Sequence, residues 1–297
     1  MQRFSLFLSL ISLFFSSLTA QDIPVTDVYA FDMKKLTDTT YNFSNPRFLS
    51  SFNMNGYNNQ PHFFKEDELY LTVQFPDATQ TDIFSLNLAN NELTQITATV
   101  EGEYSPTIMP DRNEFSAVRV EADGQNTQRL WKFPIDRSTM GEPAFKHITG
   151  VGYHHWISPY KAALFVIGQP TTLVLANTLT GSTIELMKNI GRGMQRLPGD
   201  NLAFIHKLSA NNWVLKEIDT YTYRSKDIVK TLPNSEDFLY LDDGTFIMGN
   251  GSKLYKFNKY IDQDWKEIAD FRYYGVTNIT RLALSGNGTI AIVDRVK

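Results

Sequence analysis

The chain has 297 residues, no cysteine, 28 basic against 32 acidic side chains and a formal charge of −4 at pH 7. Without a thiol there is no disulfide, no thiolate metal site, no cysteine nucleophile and no cysteine to carry a lipid after removal of a leader. The mildly acidic balance, with Lys34-Lys35 as its densest cationic spot, excludes the basic stripe of a nucleic-acid binder.

Residues 1–20, MQRFSLFLSLISLFFSSLTA, carry one cation, Arg3, then an uncharged run rich in Phe and Leu that ends in the small residues Ser17 and Thr19-Ala20. This is the layout of a secretory signal peptide, and the run is too short and too Ser-rich for a comfortable membrane span. The mature chain, 21–297, is then expected in the periplasm or outside the cell, with 27 basic against 32 acidic residues. No second long apolar run follows, so no membrane span is expected.

Next comes TDVYAFDMKKLTDTTYNFSNPRFLS, which reads as two strands without a preceding hairpin. From there a unit repeats. Its first hairpin is PHFFKEDELYLTV, then SPTIMPDRNEFSAV, HWISPYKAALFVI, QRLPGDNLAFI, FLYLDDGTFIMG and RLALSGNGTIAIV. Anchored on Leu69, Phe115, Leu164, Leu202, Phe246 and Ile290, the copies are 46, 49, 38, 44 and 44 residues apart. Each of the first five is followed by a second, more alternating pair of strands: TDIFSLNLANNELTQIT, QRLWKFPIDRSTMGEPAF, TTLVLANTLTGSTIEL, NWVLKEIDTYTYRSKDI and SKLYKFNKYIDQDWKEI. Turns such as Asp243-Gly244, Asn287-Gly288 and Asn250-Gly251 supply residues that accept positive φ.

Four strands per unit of this length predict an all-β fold, a β-propeller with one four-stranded antiparallel sheet per blade. There are five complete units. The sixth blade is expected to be shared, its first hairpin from the C-terminal segment and its outer pair from the N-terminal one, because a ring left open would expose unpaired strand edges. Residues 21–297 thus form a single domain, expected to be monomeric. Most of the aromatic content, 13% of the chain, falls at alternating strand positions such as Phe84, Trp131 and Phe257 and reads as packing between blades.

SPTIMPDRNEFSAVRV followed by QRLWKFPI resembles the repeat of the TolB-like six-bladed propellers, whose usual form is a Ser-Pro-Asp-Gly turn before an apolar strand. The similarity is good around Phe115 and Leu69, partial around Leu164, where Tyr160 replaces the Asp, and weak around Leu202 and Phe246. It implies a scaffold often used for protein contacts at the cell envelope, and it transfers no catalytic residue.

The first strand of each blade lines the channel, so residues near its start face the mouth. Alignment puts Gln60, Ser105, His154, Met194, Asp237 and Arg281 at one level, preceded by Asn59, Tyr104, Tyr153, Gly193, Glu236 and Thr280. If His62, His154 and Glu236 converge, they offer nitrogen and oxygen ligands to a divalent metal. The alternative is a solvated polar wall, since the adjacent His154 and His155 point to opposite faces of a strand. Arg281 opposite Tyr104, Tyr153 and Trp156 offers a fork and platforms for a carboxylate or sugar acid. Its alternative is pairing with Asp237 or Glu236. The glycines of NIGRGMQRLPGDN lack the Lys-Ser/Thr of a phosphate loop and read as an irregular first strand. No G-x-S-x-G, H-E-x-x-H or D-x-D-x-D-G motif is present.

The expected function is a non-catalytic secreted or periplasmic propeller that binds an envelope or extracellular protein, or a small polar ligand, at one face. It needs no cofactor. The other reading is a metal-dependent hydrolase or lactonase at the channel mouth, with Asn59, Glu236, Asp237 and the histidines as its only candidate ligands.

Overall fold

A computed structural model describes residues 23–296; the expected signal peptide lies outside the described residues. Two strands, β1 (Thr26–Lys35) and β2 (Tyr41–Phe48), come first. Blade 1 holds β3 (Tyr57–Lys65), β4 (Glu68–Gln74), β5 (Asp82–Asn87) and β6 (Leu93–Gln95). Blade 2 holds β7 (Gly102–Ile108), β8 (Glu114–Val120), β9 (Gln128–Pro134) and β10 (Glu142–Pro143). Blade 3 holds β11 (Val151–Ser158), β12 (Lys161–Val166), β13 (Thr172–Asn177) and β14 (Thr183–Lys188). Blade 4 holds β15 (Ile190–Arg196), β16 (Leu202–Ser209), β17 (Asn212–Ile218) and β18 (Ser225–Lys230). Blade 5 holds β19 (Phe238–Tyr240), β20 (Thr245–Asn250), β21 (Lys253–Asn258) and β22 (Lys266–Asp270).

The last two strands, β23 (Ile279–Leu284) and β24 (Thr289–Arg295), complete blade 6 in the order β2-β1-β24-β23. All six sheets are antiparallel and four-stranded. The closing seam runs from Thr26 opposite Arg295 to Asp32 opposite Thr289. This is the six-bladed propeller with a shared closing blade that the repeat predicts. Among the described residues no helix is long and apolar enough to cross a membrane.

The core is six layers, each sandwiched between neighbouring blades. Phe64, Tyr70 and Ile83 of blade 1, for example, pack on Phe115, Ala117 and Phe133 of blade 2. The six anchor residues are all fully or almost fully buried. Each such Phe, Leu or Ile stabilises the ring by about 1.5–3 kcal/mol.

One register differs from expectation. In blade 3 the residue equivalent to the other anchors is Ala162, not Leu164, because Trp156 sits opposite it and fills the volume that a large anchor occupies elsewhere. With Ala162 in that place the repeat spacing becomes more even.

Candidate functional site

Five of the six first strands bend around the channel through bulges, β19 being the regular one. Register shifts interrupt β3 between Asn59 and His62, β7 between Tyr104 and Thr107, β15 between Ile190 and Met194, and β23 between Ile279 and Arg281. A bulge re-aims the side chains beside it. Gln60 and Ser105 take equivalent positive φ values of 54° and 56° there, and the Ser105 N–H donates to Gln60 Oε1 at 2.9 Å, tying blade 2 to blade 1.

In β15 the irregular strand has a specific cause. A Cβ on Gly193 would lie 2.0 Å from the backbone oxygen of Glu236, and one on Gly191 would lie 2.9 Å from its carboxylate. The two glycines therefore let β15 press against blade 5 and leave Arg192, between them, to cross the mouth. Its N–H donates to Glu236 Oε2 at 2.9 Å and its Nη2 to the Thr280 carbonyl of blade 6 at 3.0 Å.

Arg281 reaches further. Its Nη2 donates to the Tyr153 hydroxyl at 3.0 Å, joining blade 6 to blade 3, which face each other across the ring. Three cavities meet at this crossing. A mouth of about 400 Å³ is lined by Tyr57, Asn59, Tyr104, Tyr153, Thr280 and Arg295 together with the two crossing arginines. A second space of about 430 Å³, between blades 5 and 6, includes Glu236 and Asp237. A smaller one of about 120 Å³ includes Gln60, His62, Ser105, His154 and Asp237. Arg192 and Arg281 border all three.

The anticipated positions divide accordingly. Asn59, Tyr104, Tyr153 and Arg281 share the mouth. His62, His154 and Asp237 line the smaller space. Trp156 does not serve as a platform: it is 4% exposed, in the core between blades 2 and 3, and its indole donates to Ser116 Oγ at 2.9 Å. Arg281 pairs with neither Asp237 nor Glu236 in the structure; its partner is Tyr153. Glu236 is held instead by Lys207, 2.6 Å away.

The histidines do not assemble with Glu236. His154 Nε2 lies 2.7 Å from Ser116 Oγ, on the blade 2 side, while His155 Nε2 accepts the Arg196 N–H of blade 4 at 2.9 Å. Burial holds His62 and His155 down to about 4 and His154 to about 3, so all three are neutral imidazoles at pH 7. No group of three or more His, Asp or Glu is placed to share a metal among the described residues. The metal-ligand set anticipated from sequence thus does not fit a divalent ion.

Burial pushes the Asp237 carboxyl up to about 6, although the Arg192 charge and the Leu282 and Phe238 N–H groups act in the other direction. Burial also raises the Tyr57 and Tyr153 phenols, which keep their protons and remain donors. Sequence reasoning missed Arg192, Arg295 and Tyr57. The available signal for Arg192 was its place between two glycines on a channel strand, where backbone can approach closely and only one side chain points inward.

No family model matches the chain, and no curated protein matches it. Solved structures do. A putative TolB from Agrobacterium tumefaciens is 10% identical, with 93% of this chain and 100% of that one covered and a TM-score of 0.68. A chain of a nidogen–laminin complex is 11% identical over 87% of this chain and 97% of its own, with a TM-score of 0.61. TolB from Acinetobacter baumannii is 12% identical over 90% of this chain and 64% of its own, with a TM-score of 0.58. At this identity the likeness establishes the shared six-bladed fold.

Proposed function

We propose that this protein is a non-catalytic, exported member of the TolB-like propellers that binds a protein partner or small ligand at the mouth where the first strands begin. The observation that carries this reading is the crossing of Arg192 and Arg281, which forms a common wall for three cavities. Such a mouth is concave and pre-formed, with a few convergent polar groups in a rigid ring, which is what a recognition site requires. The TolB and nidogen–laminin likenesses support a binding scaffold, and the layout of residues 1–20 supports export to the periplasm or beyond the cell.

The test fills the mouth. Thr280→Trp puts an indole into the space bordered by Tyr57 and Arg192. Wild type and variant are compared by ligand-observed NMR against a mixed library of neutral, acidic and basic small molecules, and by capture from envelope extract. Wild type is expected to give ligands or a partner that the filled variant loses. If nothing bound by the wild type is lost in the variant, the mouth is not the binding face.

A further inference from the structure

We infer that the mouth recognises the carboxylate of a small organic acid, gripped between Arg192 and Arg281. This rests on the reading of the mouth as the binding face and adds the chemistry of what enters it.

Charge favours an anion in the mouth. Among the described residues the mouth cavity is bordered by arginines, Arg192 and Arg281 among them, and by no Asp or Glu, in a chain whose formal charge is −4. A walled cleft of one sign concentrates the opposite ion.

The state of the two guanidiniums favours one too. Each has five N–H donors. The acceptors found for Arg281 and Arg192 side chains are a neutral phenol and a neutral carbonyl, and the Arg192 Nε is buried with no partner. Neither is ion-paired among the described residues. This is not how the chain treats an arginine that only packs. Arg119, 4% exposed, has the Glu103 carboxylate at 2.9 Å. A part-buried cation left with neutral acceptors is unfavourable until an anion arrives.

The nearby acids are already committed. Glu236 is bound by Lys207 and by the Arg192 backbone, and Asp237 accepts from the N–H groups of Phe238 and Leu282. An entering anion therefore meets guanidiniums that no local carboxylate occupies.

Geometry selects the kind of anion. Phosphate sites are commonly built from backbone N–H nests or helix N-termini. Here the polar groups bordering the mouth are side chains: planar guanidinium forks and the protonated phenols of Tyr57 and Tyr153, which suit a flat, bidentate carboxylate. About 400 Å³ admits one sugar ring or a dipeptide-sized acid.

The experiment is calorimetric titration at pH 7 with D-glucuronate and N-acetyl-L-aspartate, against D-glucose, N-acetyl-L-asparagine and inorganic phosphate. At least one acid is expected to bind tenfold or more tightly than its neutral counterpart and than phosphate, with affinity falling as NaCl rises. A response to glucuronate alone marks a sugar acid, and one to aspartate alone marks an acidic peptide. Arg192→Gln and Arg281→Gln are expected to weaken the acid tenfold or more, and Lys253→Gln, in an outer strand, to change it less than twofold. Should the Gln variants fail to fold, Arg192→Lys and Arg281→Lys keep the charge but lose the fork, and the same loss is expected. The inference is overturned if neither acid binds, if phosphate binds as tightly, or if the arginine variants fold and leave the acid affinity unchanged. A neutral or basic ligand lost in Thr280→Trp, with no acid bound, would overturn the carboxylate while leaving the binding face intact. No mouth-dependent ligand at all would overturn both.

Discussion

Arg281 of β23 donates to the hydroxyl of Tyr153 on β11 across the channel, at 3.0 Å, and so links two blades that share no sheet and no core layer. The six core layers act between neighbouring blades, and Arg192 reaches past one blade, from blade 4 to blade 6. The Arg281–Tyr153 hydrogen bond acts across a diameter, where it props the mouth and aims the guanidinium.

Tyr153→Phe keeps the ring, its edge contact with Phe165 and the burial, and removes only the hydroxyl. A hydrogen bond to a charged group contributes about 1.5–3 kcal/mol when fully enclosed, and water in the mouth reduces this to about 1 kcal/mol. We expect the unfolding free energy to fall by that amount, seen as a lower urea midpoint with an unchanged slope. A loss above about 3 kcal/mol would mean that Tyr153 supports the core and not the strut.

Gly193→Ala tests the close approach that delivers Arg192. The added methyl meets a backbone oxygen, Glu236 O at 2.0 Å, so no side chain can swing aside. β15 must retreat from blade 5, and overpacking of this kind costs about 1–3 kcal/mol. Urea unfolding should show that loss, with Gly181→Ala as the contrast: a Cβ there meets nothing within 4 Å, but its φ is +68°, so its milder loss comes from backbone alone. Equal losses in the two variants would remove steric approach as the reason for Gly193.

The sequence made the fold legible because the fold is a repeat. Anchors such as Leu69 and Ile290 mark the same buried position in every blade, and each turn carries its own chemistry. The one misplaced anchor, Leu164 for Ala162, arose because a large residue was sought where Trp156 had already filled the space. The site was less legible for a related reason. Bulges shift side chains between faces by single residues, and alignment at that accuracy cannot separate Trp156, which enters the core, from Tyr153, which enters the channel. Nor does a linear pattern show that Arg192 crosses from blade 4 to blade 6, because this depends on how closely two backbones pass.

Deleting residues 276–297 removes β23 and β24, and with them the fully buried Ile290, Ala291, Ile292 and Val293. β1 then loses its partner along the whole seam from Thr26 to Asp32, and two core layers lose part of the side that blade 6 supplies. We expect the truncated chain to lose its single sharp calorimetric transition and to melt broadly at lower temperature. Sharp two-state melting near the wild-type temperature would show that the remaining blades close without the seam.

The pH dependence of stability separates the channel acid from the histidines, because their shifts have opposite signs. His62, His154 and His155 titrate at about 4, 3 and 4 when folded, below the ordinary 6.5, so the unfolded chain binds more protons in that interval. Their contribution is present above pH 6.5 and is lost as pH falls toward 3. Asp237 is shifted upward, from 3.8 to about 6, so here the folded chain binds more protons, and stability is gained as pH falls through 6 toward 3.8. At ~1.4 kcal/mol per pH unit the Asp237 shift corresponds to at most about 3 kcal/mol, and solvent at the channel wall lowers this to about 1–2 kcal/mol. Asp237→Asn removes the opposing contribution. The variant should therefore be more stable than wild type at pH 7 and should lose stability more steeply between pH 6 and 4. Chemical denaturation across pH 4–8 reads both quantities. Parallel wild-type and variant curves over this range would show that Asp237 titrates as an ordinary, solvated carboxylate, and the enclosure of the channel at that level would have to be abandoned.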